Sequence, residues 1–179
     1  SLAEINLTLK NFKNYTLAGI QKECDIQHLH LSQKYIDDIT NVEDRNLVKC
    51  FFQQYEQNVI PVLPFLRKQI IYNDANECNV LTKNKCVSGI IDFGNSTYFY
   101  QINELAIAIT YSFYDKNKPL EWASIIIKAS NEKLPLLEKE LSVLYYLISV
   151  RLSISVWKSA HSRKINPENL YATVSEQAA

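Results

Sequence analysis

The chain has 179 residues, enough for one domain with a real core. A hydrophobic share of 47% and a charged share of 21% describe an ordinary globular protein, and nineteen basic against nineteen acidic residues leave no electrostatic footprint for nucleic acid or an anionic membrane. From the sequence neither a membrane-spanning apolar run nor a signal peptide is expected. Cys24, Cys50, Cys78 and Cys86 lack any C-x-x-C spacing, which argues for reduced thiols and a cytoplasmic setting rather than zinc or disulfides. His28, His30 and His161 are too scattered to form a metal site. There is no methionine, so the chain is expected to belong to a longer gene product.

Leu2, Ile5, Leu9 and Phe12 recur at helical spacing and predict an opening helix. A loop over 14–19 follows, then a mixed segment over 24–39 in which Asp37 and Asp38 read as a solvated helix end or as a substrate contact. Asn41, with Asp44 three residues on, predicts an N-cap. The helix it opens should bury Val48, Phe51/Phe52, Tyr55 and Val59 and stop at Pro61 and Pro64. Ile70-Ile71-Tyr72 and Asn79-Val80-Leu81 read as short strands; Lys83-Asn84-Lys85 is a turn, and 87–91 is another strand. Helices are expected over 102–114, over 119–129 (Leu120, Ala123, Ile126 and Ile127 inward) and over 135–161. The last of these should bury Leu137, Leu141, Leu144, Ile148, Leu152 and Val156, with the Arg151 stem lying along its surface. A final helix should run from Asn166-Pro167 towards Ala179.

The chemistry concentrates between Gln69 and Gly94. Asp74 and Asn79 form D-x-x-x-x-N, and Asp92-Phe93-Gly94 closes an apolar run thirteen residues on. Phosphoryl transfer uses this order: one Asp accepts the proton of the attacking hydroxyl, while the Asn and the second Asp hold magnesium, a hard cation that prefers oxygen ligands. Two short strands delivering both acids to one end supply the geometry. Gly89 and Gly94 also give G-x-x-x-x-G, but Asn95 stands where a phosphate-binding loop needs lysine, so that reading is rejected. Glu104, heading a predicted helix, is either a buried acid bracing the catalytic loop, a contact for a substrate amine, or ordinary first-turn electrostatics.

Tyr72 to Leu81 (Y-N-D-A-N-E-C-N-V-L), Val87 to Gly94, Asn103 to Ala108, Asn166 to Asn169 and Val174 to Glu176 together resemble the aminoglycoside phosphotransferase family. Within it they resemble the hydroxylysine kinase-like branch, which includes domains fused to class III aminotransferases. Cys24-Asp25-Ile26 resembles that branch's W-D-L. Tyr72 replaces the usual His, a residue that mainly braces the catalytic loop, and Asn95 replaces a frequent second Asp.

The resemblance implies a mainly α fold with a small β-hairpin insert. This would be the helical C-terminal lobe of a protein-kinase-like (α+β) fold, the β-rich N-terminal lobe being absent from this chain. Residues 1–179 would form one domain with the catalytic loop at 70–81, the D-F-G segment at 87–95 and a helical bundle at 102–179. It further implies Mg2+, ATP or GTP as co-substrate, and an amine-bearing alcohol such as hydroxylysine as acceptor. Asp74 would be the base, Asn79 and Asp92 the metal and nucleotide ligands, and Glu77, Asp37 and Glu104 candidates for the amine. No nucleic acid or membrane partner is expected, and an aminotransferase domain could follow. Without a nucleotide-gripping lobe the isolated chain is expected to be inactive. The competing reading is a non-catalytic, kinase-like binding module.

Overall fold

The computed structural model describes residues 2–12, 26–113 and 116–168. Its elements are α1 (Leu2–Leu9), α2 (Leu29–Ser32), α3 (Val42–Asn58), β1 (Lys68–Ile71), β2 (Val80–Lys83), β3 (Cys86–Ile90), β4 (Thr97–Tyr100), α4 (Ile102–Ser112), α5 (Pro119–Lys133) and α6 (Glu138–Ile165). Helices dominate, and two small antiparallel sheets lie between α3 and α4 in sequence. The expected loop over 14–19, the motif at Cys24-Asp25 and the helix after Pro167 lie largely or wholly outside the described residues.

Local chemistry explains the element boundaries. The Asn41 side chain accepts from the backbone N–H groups of Glu43 (2.8 Å) and Asp44 (3.3 Å), filling two of the donors that a helix start leaves open. Val48, Phe52 and Tyr55 of α3, with Val59 just beyond it, are buried as their spacing predicts, whereas Phe51 is only half-buried. Asn84 and Lys85 both adopt left-handed backbone (φ 52° and 63°), the conformation that a two-residue turn needs to match the twist of β2 and β3.

α6 is the spine, packed along α3 and α4. Its large buried apolar side chains are Val143, Leu144, Leu147, Val150, Ile154 and Trp157. That corrects the expected stripe at its N-terminal end: Leu137 and Leu141 are exposed, Ile148, Leu152 and Val156 are half-buried, and only Leu144 is fully buried. The reason is that two helices pack on α6, so its buried arc is wider than one row and centred elsewhere. The helix also begins later than Pro135, because Leu137 is extended (φ −78°, ψ 150°) and its N–H is taken by the Glu140 carboxylate at 2.9 Å. Leu120, expected inward, is 78% exposed in the first turn of α5, while Ala123 carries the contact.

Contrary to the expectation that no apolar run approaches a membrane span, one window of α6 is long and apolar enough to cross one, the only such helix among the described residues. Its burial against α3 and α4 is that of a core helix.

Strand β4, in register with β1 from Lys68↔Tyr100 to Ile71↔Thr97, was not foreseen. The pairing continues at Gln101, whose N–H donates to the Arg67 carbonyl at 2.9 Å. Arg67 in turn clamps Glu140 of α6 through Nε (2.8 Å) and Nη2 (2.5 Å), tying the start of β1 to the start of the spine. β1 therefore enters the D-x-x-x-x-N segment from a fixed base, and β4 leads out of the D-F-G turn into α4.

Candidate active site

β1 ends at Ile71, and the fully buried Tyr72 follows. Its phenol donates to the Ile91 carbonyl, and its ring meets Phe93 edge-on at 4.9 Å. Tyr72 thus ties the two acidic segments together. Tyr72 is the residue that stands where the family resemblance expects a His. Burial and the nearby Asp74 carboxylate push the phenol up to about 12, so it stays a donor at neutral pH.

Asn73 takes left-handed backbone (φ 66°), which turns its N–H onto the Glu104 carboxylate at 2.9 Å. Glu104 is 1% exposed in the first turn of α4. Burial raises its carboxyl to about 7, opposed by the backbone N–H groups of Asn73 and Tyr72 and reinforced by Asp74. Glu104 thus lies behind the loop that carries Asp74 and holds it through the Asn73 N–H.

Asp74 sits among three carboxamides. Asn76 Nδ2 donates to Oδ1 at 3.0 Å, while Asn79 Nδ2 (3.1 Å) and Asn95 Nδ2 (2.8 Å) both donate to Oδ2. Asn76 is held in turn by accepting from the N–H groups of Cys78 (2.9 Å) and Asn79 (3.1 Å), which fixes which end of its amide faces Asp74. Asn79 Nδ2 also reaches the Asp74 carbonyl at 3.1 Å. Because both of these contacts are acceptors, its carbonyl oxygen faces elsewhere.

The second acidic group arrives beside the first. The Ile91 N–H donates to the Asn79 carbonyl at 3.0 Å, extending the β2–β3 pairing to the residue just before Asp92. Asp92 is exposed and left-handed (φ 58°), with one oxygen accepting from the Gly94 N–H at 3.2 Å. The carboxamide oxygen of Asn79 and the other carboxylate oxygen of Asp92 are hard donors of the type that a magnesium ion takes, while no group of three or more His, Cys, Asp or Glu gathers among the described residues.

The other candidates lie at the surface. Glu77 is exposed at the start of the short turn Glu77–Asn79. Asp37 is exposed, pairs with Lys49 at 3.4 Å and does not join the group around Asp74. Its neighbour Asp38 is not simply a solvated helix end: it binds Lys164 and His161 (2.7 Å), which hold its carboxyl below the usual range. The residues underrated from sequence are Asn73, Asn76 and Asn95. The D-x-N spacing of Asp74 and Asn76 was the available signal, since an Asn two residues after an Asp can turn back upon it.

Two carboxylates and a carboxamide are thus presented by a strand-linked loop and a D-F-G turn. Residues 15–138 match the model of the phosphotransferase enzyme family, APH, and the chain belongs to that family. It is 30% identical to a hydroxylysine kinase of Xenopus laevis over 155 residues, covering 81% of this chain and 41% of the relative. The hydroxylysine kinase of Mus musculus is 27% identical over 179 residues (93% and 48%), and that of Danio rerio 30% identical over 144 (78% and 41%). The chain therefore spans less than half the length of these relatives.

Proposed function

We propose that the protein carrying this chain is a small-molecule kinase that moves the γ-phosphoryl group of ATP or GTP to a hydroxyl of an amine-bearing acceptor, hydroxylysine or a related amino alcohol. The observation that carries this is the Asp74 carboxylate, held by Asn76, Asn79 and Asn95, the last of these coming from the turn that begins at Asp92. The acceptor class rests on the hydroxylysine kinase relatives.

In this reading Asp74 orients the acceptor hydroxyl and takes its proton as the oxygen attacks phosphorus. Asn79 and Asp92 would hold magnesium, which when bound neutralises charge on the phosphate oxygens. Tyr72 keeps the loop carrying Asp74 against the turn carrying Asp92, and Glu104 ties that loop to α4, so that catalysis comes from positioning. The described fold is then the helical lobe of a kinase-like enzyme, and the exposed free thiols of Cys50, Cys78 and Cys86 suit a reducing cytoplasm.

The test is nucleoside-diphosphate release by the full-length protein with Mg-ATP or Mg-GTP and a panel of amino alcohols. Acceptor-dependent release is expected, and Asp74→Ala should lower kcat by about a hundredfold or more, the range for losing a positioned base. No release with any acceptor, and no thermal shift with nucleotide, would leave the binding-module reading in its place.

A further inference from the structure

We infer that Asn95 is a positioning residue that fixes the Asp74 side chain and directs proton acceptance to its Oδ1. This rests on the phosphotransfer reading above. A carboxylate oxygen offers two lone-pair sites. On Oδ2 both are filled, by Asn79 at 3.1 Å and Asn95 at 2.8 Å; on Oδ1 one is filled, by Asn76 at 3.0 Å. The open site is therefore on Oδ1, and that is where an acceptor hydroxyl can place its proton. With donors on both oxygens, the carboxylate cannot rotate about its Cβ–Cγ bond without breaking contacts.

Asn95 differs from the other two donors in where it comes from. Asn76 and Asn79 belong to the same loop as Asp74, whereas Asn95 closes the turn Phe93–Asn95 that begins at Asp92. Its side chain reaches Asp74, and its backbone carbonyl accepts from Asn73 Nδ2 at 3.3 Å. The turn bearing Asp92 thus grips the catalytic loop on both sides of the peptide joining Asn73 to Asp74. The residue type matters: an aspartate would have the same shape but no donor, and would set a second carboxylate against the first. A residue that departs from the family's frequent Asp therefore acts here as a clasp.

The experiment uses the full-length protein in two arms. In the first, Asn95→Leu, of nearly the same size but without a donor, is compared kinetically with wild type. Loss of a hydrogen bond to a charged group predicts a kcat lowered about tenfold to a hundredfold, with the KM for nucleotide within about twofold of wild type. An unchanged kcat would overturn the inference, as would equal losses in kcat, nucleotide KM and thermal stability, which mark a merely structural role. In the second arm the Asn side-chain amide resonances are followed by 15N NMR in wild type and Asp74→Ala. A shift of the Asn95 amide on removal of the carboxylate supports the contact, and an unmoved resonance refutes it. Should wild type turn over no acceptor at all, the kinase reading fails, while the NMR arm still decides whether Asn95 holds Asp74.

Discussion

Two glutamates are buried to the same depth in this molecule, Glu140 at 0% and Glu104 at 1% exposure, and their surroundings differ completely. Glu140 meets the Arg67 guanidinium with both oxygens and also takes the Leu137 N–H, so its charge is paired where α6 begins. Among the described residues Glu104 meets no cation: it accepts backbone N–H groups from the catalytic loop, and its Oε1 has no hydrogen-bond partner there. Full pairing favours stability. Partial pairing against the catalytic loop favours positioning at a cost in stability, as functional sites often do.

The largest expected effect breaks the first of these. Arg67→Ala leaves a buried carboxylate without its cation and should cost about 3 kcal/mol, at the low end for such pairs because the arginine is partly exposed. Replacing both partners, as Arg67→Met with Glu140→Leu, should cost less than the single change, since no buried charge remains. Chemical denaturation of the three proteins checks this. A double variant no more stable than Arg67→Ala would mean that the pair organises the junction of β1 and α6 by more than charge.

The second prediction concerns Glu104 and is similar in size. Its carboxyl is raised from an ordinary 4.5 to about 7, so between these values the folded chain keeps a proton that the unfolded chain releases. Stability should therefore fall as pH rises through that window and stay level above it. The loss is about 3 kcal/mol, since each tenfold difference in proton affinity between the folded and unfolded chain is worth roughly 1.4 kcal/mol. Glu104→Gln removes the titration while keeping an oxygen for the Asn73 N–H. Urea unfolding of both proteins at pH 5 and pH 8 should show the variant gaining on wild type by most of that amount, about 2.5 kcal/mol, at the higher pH. A constant difference across the range would mean that Glu104 is ionised throughout.

The same comparison separates what the sequence could say from what it could not. That the loop of Asp74 and Asn79 would meet the turn of Asp92 was legible from the order and spacing of the two motifs, and the helix start at Asn41 because capping is local. Strand β4 was not foreseen, although Thr97-Tyr98-Phe99-Tyr100 is an aromatic, β-branched run, because its partner β1 lies far back in the chain. The Arg67–Glu140 clamp joins residues 73 apart, and no local pattern announces it. The face of α6 was misplaced for a related reason: periodicity reports one stripe, whereas the helix has two packing partners.

The smallest effect tests whether backbone strain carries the same distinction. Among the described residues four that are not glycine have positive φ, two at the site (Asn73 and Asp92) and two in the β2–β3 turn (Asn84 and Lys85). At the site the strain is tied to contacts, since Asn73 turns its N–H onto Glu104 and the Asp92 side chain takes the Gly94 N–H. Lys85 is exposed, and its left-handed backbone serves only to close the turn. Lys85→Gly relieves about 1 kcal/mol of left-handed strain but frees the unfolded chain by somewhat less, for a net gain of about 0.5 kcal/mol, with activity of the full-length protein unchanged. Urea unfolding and diphosphate release, measured on the same preparation, check both halves of that expectation. A loss of activity in this variant would show that the hairpin turn, like the D-F-G turn, helps to set the position of Asp92.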